Sequence, residues 1–316
     1  MARIKKIMHV LLHERNKIYL LLLPAVQRII PDKPYVKLYY YLRMGEKLDL
    51  NNPKSFNEKL NWLKLYDRNP LYTTLVDKYE VKDWVKAKIG EEYMIPTLGV
   101  WESFDQIPFD ELPNQFVLKT THGGGSVGVV ICKDKNLFDK EAAANKINRS
   151  MQISGYDKHR EWPYKNVHRR IIAEKYMEDA ASASSEGLID YKFYCFNGVP
   201  TYCQVIRGRG EKLTIDFYDM EWNHMPFVGL KPNVVNGEVP APQPTQLEVM
   251  ISICRKLSAD IPFSRIDLYE INGCVYFGEV TFFPAGSVGT FRPAEWNYKL
   301  GELINLEGVK NKKVKS

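Results

Sequence analysis

The sequence predicts a mixed α+β fold, on three observations. The first third reads as helix: Ser55, followed three residues later by Glu58, has the form of a capping box ahead of an apolar repeat near helical period. After Pro96 the pattern changes to short β-type runs rich in Val, Ile, Tyr and Phe. Asn197-Gly198 and Asn272-Gly273 each lie between two such runs, and Asn-Gly closes tight hairpins because both central positions tolerate positive φ.

In chain order, FNEKLNWLKLYD opens at Ser55 with Phe56, Leu60, Leu63 and Leu65 on its apolar side, and a second helix is expected over Tyr72 to Ile89, closed by Gly90. The β-type runs are Phe116 to Thr120, Val127 to Cys132, Arg170 to Met177, Asp190 to Phe196, Pro200 to Arg207, Leu213 to Tyr218, Arg265 to Tyr269 and Cys274 to Phe282. Lys140 to Ile153 and the amphipathic Pro244 to Ser258 read as helices between them, and Ala180 to Gly187 (AASASSEG) as a flexible surface loop.

A chain of 316 residues that is 45% apolar can bury a substantial core, and its net charge of +6 gathers at the two ends, in Lys5, Lys6, Arg15 and Lys17 and in Lys310, Lys312, Lys313 and Lys315. Five scattered cysteines, Cys132, Cys195, Cys203, Cys254 and Cys274, lack zinc spacing and read as reduced thiols of a cytoplasmic protein. The apolar stretch Ile18 to Val26 is shorter than the roughly 20 residues a membrane span needs. A basic, partly amphipathic N-terminal helix leaves open a peripheral position at the inner membrane face, and no nucleic-acid partner is expected.

Gln115 to Cys132, QFVLKTTHGGGSVGVVIC, carries the strongest chemical signal. Two apolar strands flank a loop primed by Lys119 and holding Gly123, Gly124, Gly125 and Ser126; glycines let backbone N–H groups approach an anion, and lysine supplies counter-charge. The Walker spacing is absent, and so is a dinucleotide fingerprint opening a helix, because a strand follows the loop. Later, SRIDLYEINGCVYFGEVTFFPAG places Arg265, Asp267 and Glu279 on the two arms of the Asn272-Gly273 hairpin. If Ile271-Asn272-Gly273 form a three-residue loop, Glu270 pairs with Cys274, Arg265 pairs with Glu279, and all three charged residues share a face. A two-residue turn would put Asp267 and Glu279 on opposite faces. Two carboxylates on one face suit a hard cation such as Mg²⁺, shared with nucleotide phosphates. Taken singly each residue has an ordinary reading: Lys78 as a surface lysine on a helix, Lys119 as a strand end, Glu174 and Lys192 as strand polar residues, His122 as a turn residue.

Together the parts resemble the ATP-grasp superfamily, in an order similar to that of D-alanine–D-alanine ligase and related carboxylate–amine ligases, over about residues 75 to 290. The resemblance implies an ATP-grasp fold of two α+β subdomains clasping the nucleotide. It implies that Asp77-Lys78, with Lys82, supplies a phosphate lysine, that Lys119 supplies the second, and that His122, Gly123, Gly124, Gly125, Ser126 and Val127 belong to the glycine-rich lid. It makes IIAEKYM the hinge strand contacting adenine through Glu174, Lys175, Tyr176 and Met177, and Lys192 a further basic nucleotide contact. Asp267, Glu279 and Thr281 become the metal ligands, with Thr281 where the family commonly has Asn, and Arg265 holds the substrate carboxylate or oxyanion near backbone donors at Gly286 and Ser287. Arg265, Lys119 and Lys192 are the catalytic candidates, and ATP and Mg²⁺ the implied cofactors. The segment NNPKSFNEKLNWLKLYDRNPLY, with LVDKYEVKDWV and IPTLGVW, resembles the branch named for teichuronopeptide biosynthesis, found among enzymes of bacterial surface polysaccharides.

The resemblance implies an ATP-dependent ligase that activates a carboxylate as an acylphosphate and passes it to an amine, both small or glycan-linked, for instance an amino acid joined to a uronic acid. A glycosyltransferase of the same pathway, an ATP-grasp kinase and a non-catalytic scaffold stay open, although the DxD marker of many glycosyltransferases does not occur. The expected layout is a helical region over 1–76, an ATP-grasp domain over 77–300 with a lid subdomain over about 115–177 and a metal-binding subdomain over about 188–300, and a basic tail over 301–316.

Overall fold

The computed structural model describes residues 29–125, 127–179, 188–208 and 213–309. The basic residues at both termini, Ile18 to Val26, Ser126 and the loop 180–187 lie outside the described residues. Helices α1 (Asp32–Met44), α2 (Phe56–Tyr66), α3 (Leu71–Val76) and α4 (Glu80–Ile89) come first. Strands β1 (Thr97–Trp101), β2 (Phe116–Thr120) and β3 (Val129–Cys132), helices α5 (Lys140–Gln152) and α6 (Gly155–His159), and strand β4 (Ile171–Lys175) form the next block. The last block holds β5 (Asp190–Phe196), β6 (Val199–Arg207), β7 (Thr214–Tyr218), β8 (Val228–Gly229), helix α7 (Leu247–Leu257), β9 (Phe263–Ile271), β10 (Cys274–Thr281), β11 (Phe291–Arg292) and helix α8 (Trp296–Glu302).

Helix α2 starts where its sequence predicts. Ser55 Oγ accepts from the Glu58 amide at 3.3 Å, and Glu58 returns the bond by accepting from the Ser55 amide at 2.9 Å, so two orphan donors are satisfied reciprocally. The single helix expected over Tyr72 to Ile89 is instead two. Asp77 leaves helical geometry at φ −78°, ψ 118°, and its Oδ1 accepts from the amides of Tyr79 and Glu80, ending α3 and starting α4. Lys78 therefore stands in a break between helices, and its amide donates to the Thr121 carbonyl at 3.0 Å, at the end of β2.

The described residues form two larger antiparallel sheets, in the orders β1-β4-β2-β3 and β10-β9-β5-β6-β7, and a two-stranded pairing of β11 with β8. The smaller sheet has its own apolar cluster, in which Phe104, Phe109, Phe116 and Ile147 are buried and Phe138 packs against them. The larger sheet belongs to the main core. Its strand pairs Tyr194 with Arg265 and Phe196 with Phe263, which sets one aromatic and charged face. Phe56 of α2 docks edge-on against Phe263 with centroids 5.0 Å apart, and its full burial is worth roughly 1.5–3 kcal/mol. Residues alternating with these, such as Cys195, point to the other face, where the Cys195 thiol meets that of Cys254 in α7. Cys132, Cys195, Cys203 and Cys254 are buried free thiols and Cys274 is exposed.

Candidate functional site

Both hairpin turns close with two residues in the left-handed region, Asn197 and Gly198 at φ 50° and 82°, and Asn272 and Gly273 at 51° and 75°. The second observation corrects the three-residue loop expected after Glu270: Cys274 pairs with Ile271 and Val275 with Glu270. A two-residue turn alone would separate the carboxylates, yet they end up side by side. A bulge between Phe277 and Glu279 absorbs Gly278 and shifts the register by one, so that Glu279 pairs with Asp267 and Thr281 with Arg265. Gly278 is suited to the bulge because a Cβ there would stand 2.9 Å from the Asp267 carbonyl oxygen.

The bulge builds a dense charge cluster. Arg265 donates through Nε and Nη2 to the two oxygens of Asp267 at 2.6 and 2.7 Å, and through Nη2 to Glu279 at 3.1 Å and the Thr281 hydroxyl at 3.0 Å. Lys192, across the ladder on β5, hydrogen-bonds Asp267 Oδ2 and lies 3.4 Å from Asp190. Lys78 reaches in from the helix break, 3.6 Å from Glu279, and also donates to the Gly123 carbonyl of the glycine loop. Burial pushes the Asp267 carboxyl above its ordinary value against the pull of Arg265 and Lys192, and Glu279 adds to the rise. Burial acts on Glu279 in the same sense, but Lys78, Arg265, Lys192 and Lys119 outweigh it and hold that carboxyl at about 2.

On the smaller sheet, Glu174 of β4 is clasped by Lys119 of β2 at 2.6 Å and Lys82 of α4 at 2.5 Å. Burial would raise its pKa, and the two lysines win, lowering it. Sequence reading assigns Glu174 to adenine; in the structure its carboxylate is occupied by lysines. Lys82 is the more informative partner, and the same LVDKYEVK run that contains Lys78 carries it. Lys175 donates its amide to the Pro96 carbonyl at 3.0 Å, Tyr176 lies under the Lys133 ammonium at 5.8 Å, and Met177 is half-buried. His122 faces away from the cluster: its Nε2 lies 3.2 and 3.1 Å from the carbonyls of Ser150 and Ile153 at the C-terminus of α5, and burial, with Arg169 nearby, lowers its pKa. Val127 is exposed in the loop.

Gly124 has open space around the position of a Cβ and is not in the left-handed region, so nothing in the chain itself requires glycine there, whereas Gly125, at φ 64°, is favoured by its own backbone. A backbone kept bare at the tip of a loop tied to Lys78 fits the close approach of phosphate oxygens. The donor set on the hairpin fits a hard cation in a particular way. Among the described residues no three His, Cys, Asp or Glu side chains gather as a metal cluster, so Asp267, Glu279 and the Thr281 hydroxyl are too few to enclose Mg²⁺. They suit one that keeps waters or takes phosphate oxygens, the usual situation of nucleotide-bound Mg²⁺.

Sequence reasoning missed the polar side of α2. Asn57 donates to the Gly289 carbonyl at 2.7 Å, Asn61 to that of Ser287 at 2.9 Å and Lys64 to that of Gly286 at 2.8 Å, all three with no exposed surface. They hold the loop after the carboxylate hairpin, where Ala285, Gly286 and Ser287 are all left-handed. A polar row at i, i+4 and i+7 in NEKLNWLK was the available signal.

Two antiparallel α+β lobes, with a glycine-rich hairpin on one and a carboxylate hairpin on the other and lysines converging between them, define the class of ATP-grasp enzymes. The chain belongs to the TupA-like ATP-grasp family, whose sequence model matches residues 58–305. Among curated proteins no match is found. Similar solved structures include D-alanine–D-alanine ligase from Bacillus anthracis, at 16% identity and TM-score 0.42 over 77% of this chain and 70% of that one. The Helicobacter pylori D-alanine–D-alanine ligase is 14% identical, with TM-score 0.41 over 80% and 70% of the two chains. A RimK domain ATP-grasp protein from Sphaerobacter thermophilus is 10% identical, with TM-score 0.41 over 76% and 70%. Among the described residues no helix is long and apolar enough to cross a membrane.

Proposed function

We propose that the protein is an ATP-dependent carboxylate–amine ligase that works through an acylphosphate, joining an amino acid or amine to a uronic acid in the biosynthesis of a bacterial surface polysaccharide. The observation that carries the nucleotide half is the convergence of Lys78 and Arg265 on the bulge-aligned pair Asp267 and Glu279, with Lys119 near enough to lower the Glu279 pKa. Family membership supports ATP use, and the pathway is the setting suggested by the branch resemblance.

In this reading Asp267, Glu279 and Thr281 would hold Mg²⁺, which would neutralise phosphate charge when bound. Glu279 is suited to the role because its depressed pKa keeps it a carboxylate throughout the neutral range. Lys78 and Lys119 balance charge as it moves to the leaving phosphate, and Arg265 holds the substrate carboxylate or its oxyanion. Gly123, Gly124 and Gly125 cover the phosphates and exclude the water that would hydrolyse an acylphosphate. Lys192 fixes Asp267 from β5.

The test is incubation of the purified protein with Mg-ATP, a panel of amino acids and a panel of uronic acids, following phosphate release and product mass. ADP with an amide product is the expected result. A phosphorylated carboxylate or sugar with no amide would establish a kinase instead. Lys119→Ala and Glu279→Gln each remove turnover, and normal rates in both variants would sink the site assignment.

A further inference from the structure

Arg170 stands just before β4, and its side chain grips the helix break from which Lys78 projects. Its Nη2 donates to Asp77 Oδ2 at 3.1 Å and to Glu80 Oε1 at 2.6 Å, and its guanidinium lies over the Tyr79 ring, 4.7 Å from the centroid. Of the four residues from Asp77 to Glu80, one side chain therefore touches three, and the fourth is Lys78. The Arg170 backbone reaches the same run through Thr121. Thr121 donates its amide to the Arg170 carbonyl at 2.9 Å, and Arg170 returns its own amide to the Thr121 hydroxyl at 3.1 Å. The Thr121 carbonyl then accepts from the Lys78 amide at 3.0 Å.

Asp77 is the joint of this arrangement. It is 2% exposed, and a carboxylate so buried is costly unless a cation meets it. Its two oxygens divide the work: Oδ1 accepts from the amides of Tyr79 and Glu80 that open α4, and Oδ2 accepts from Arg170. A carboxylate free to turn would not hold the two amides, and the break would lose its stop. The break decides where Lys78 goes. From it the ammonium donates to the Gly123 carbonyl on the glycine loop and lies 3.6 Å from Glu279 on the carboxylate hairpin, spanning the two sheets. A flexible four-carbon stem does not fix an ammonium by itself, so its backbone must.

We propose that Arg170 is a positioning residue for nucleotide binding: it fixes Asp77, Asp77 fixes the helix break, and the break aims the Lys78 ammonium at phosphates held between the glycine loop and the carboxylate hairpin. This rests on the reading of Lys78 as a phosphate lysine. Arg170 acts only through that lysine, since its own donors are spent on Asp77 and Glu80. Its effect on the nucleotide therefore exists only while Lys78 is present.

The experiment is a double-mutant cycle read by calorimetric titration with Mg²⁺ and AMP-PNP, a non-hydrolysable ATP analogue, so that no carboxylate or amine substrate is needed. Wild type, Lys78→Met, Arg170→Met and the double variant are compared, with circular dichroism at the assay temperature showing that each is folded. Lys78→Met is expected to raise Kd about 30-fold, the scale of a hydrogen bond to a charged group. Arg170→Met alone is expected to raise it about tenfold, by misplacing that same bond. The double variant should bind as Lys78→Met does, because the group through which Arg170 acts is gone. Arg170→Lys keeps a cation for Asp77 without the fork that also reaches Glu80, and should fall between wild type and Arg170→Met. If Arg170→Met does not fold, Arg170→Lys with and without Lys78→Met completes the cycle. Wild-type affinity in the Arg170 variants overturns the positioning role alone, as does an equal loss with and without Lys78, which makes Arg170 a support of the fold. Wild-type affinity in Lys78→Met overturns the reading of Lys78 and the positioning role together.

Discussion

Replacing Lys64 with methionine isolates the energetic consequence of burying a charge beside the loop that follows the carboxylate hairpin. Lys64 has no exposed surface, its partners are the Gly286 carbonyl at 2.8 Å and Asn61 Oδ1 at 3.2 Å, and burial pushes its pKa down to about 8 against the opposing pull of Glu161. An unfolded lysine titrates near 10.5. At about 1.4 kcal/mol per unit, holding the ammonium in the folded protein at pH 7 costs about 3 kcal/mol. Below the folded pKa that cost is present in full; between about 8 and 10.5 the folded lysine loses its proton before the unfolded one does, and the cost fades as pH rises. Methionine, of similar length, has no such dependence but leaves the Gly286 carbonyl and Asn61 Oδ1 without their donor, a loss of about 1–3 kcal/mol. At pH 7 the two effects oppose each other and the variant should fold with stability comparable to the parent. Between pH 7 and 9.5 the parent should gain about 2 kcal/mol on the variant. Urea unfolding followed by circular dichroism at both pH values measures the gap. A gap that does not move with pH would show that the Lys64 ammonium is not held at a cost.

Three further outcomes follow from the same geometry. Gly278→Ala places a Cβ 2.9 Å from the Asp267 carbonyl oxygen, so the bulge must deform; a stability loss of about 1–3 kcal/mol by thermal unfolding and a larger loss of ATP turnover are expected, and unchanged turnover would refute the role of the bulge. Ser55→Ala removes the hydroxyl that accepts from the Glu58 amide while leaving the Ser55 amide bonded to Glu58, and should cost about 1 kcal/mol in urea unfolding while KM for ATP is unchanged. Glu174 and Glu279 have folded pKa values below their unfolded ones, so their contributions are complete above about pH 4.5 and are lost as pH falls through the folded values, about 2 for Glu279; the acid limb of stability should flatten in Glu279→Gln, measured by fluorescence between pH 5 and 2.

The parts of the fold that depend on neighbouring residues were legible in the sequence. Ser55 with Glu58, Asn197-Gly198 and Asn272-Gly273 act through contacts a few residues long, and each forms the predicted cap or turn. The failures lie where a distant partner decides. Nothing near Asp77 in the chain reveals that Arg170 lies 3.1 Å from it, or that the Lys78 amide pairs with Thr121 across the sheet, so the break between α3 and α4 was hidden in a continuous helical pattern. The carboxylate pair was found for a mistaken reason: one residue of shift was needed, and it comes from a bulge at Gly278 rather than from a longer turn. The apolar stripe of α2 was visible, but its buried polar row was not, because the carbonyls it satisfies come from a loop more than 200 residues away.

The smaller sheet's separate apolar cluster should let it open as a cooperative unit of its own. The unit around Phe116 and Ile147 buries far less apolar surface than the one around Phe56 and Phe263, so its amides should exchange with deuterium first. A ligand that touches both units binds only when both are folded, and at a hundred times its dissociation constant it adds about 2.7 kcal/mol against local opening. Slowed exchange along β2 and β3 is thus a reporter of occupancy that needs no knowledge of the substrate, and it can rank candidate ligands before any product has been identified.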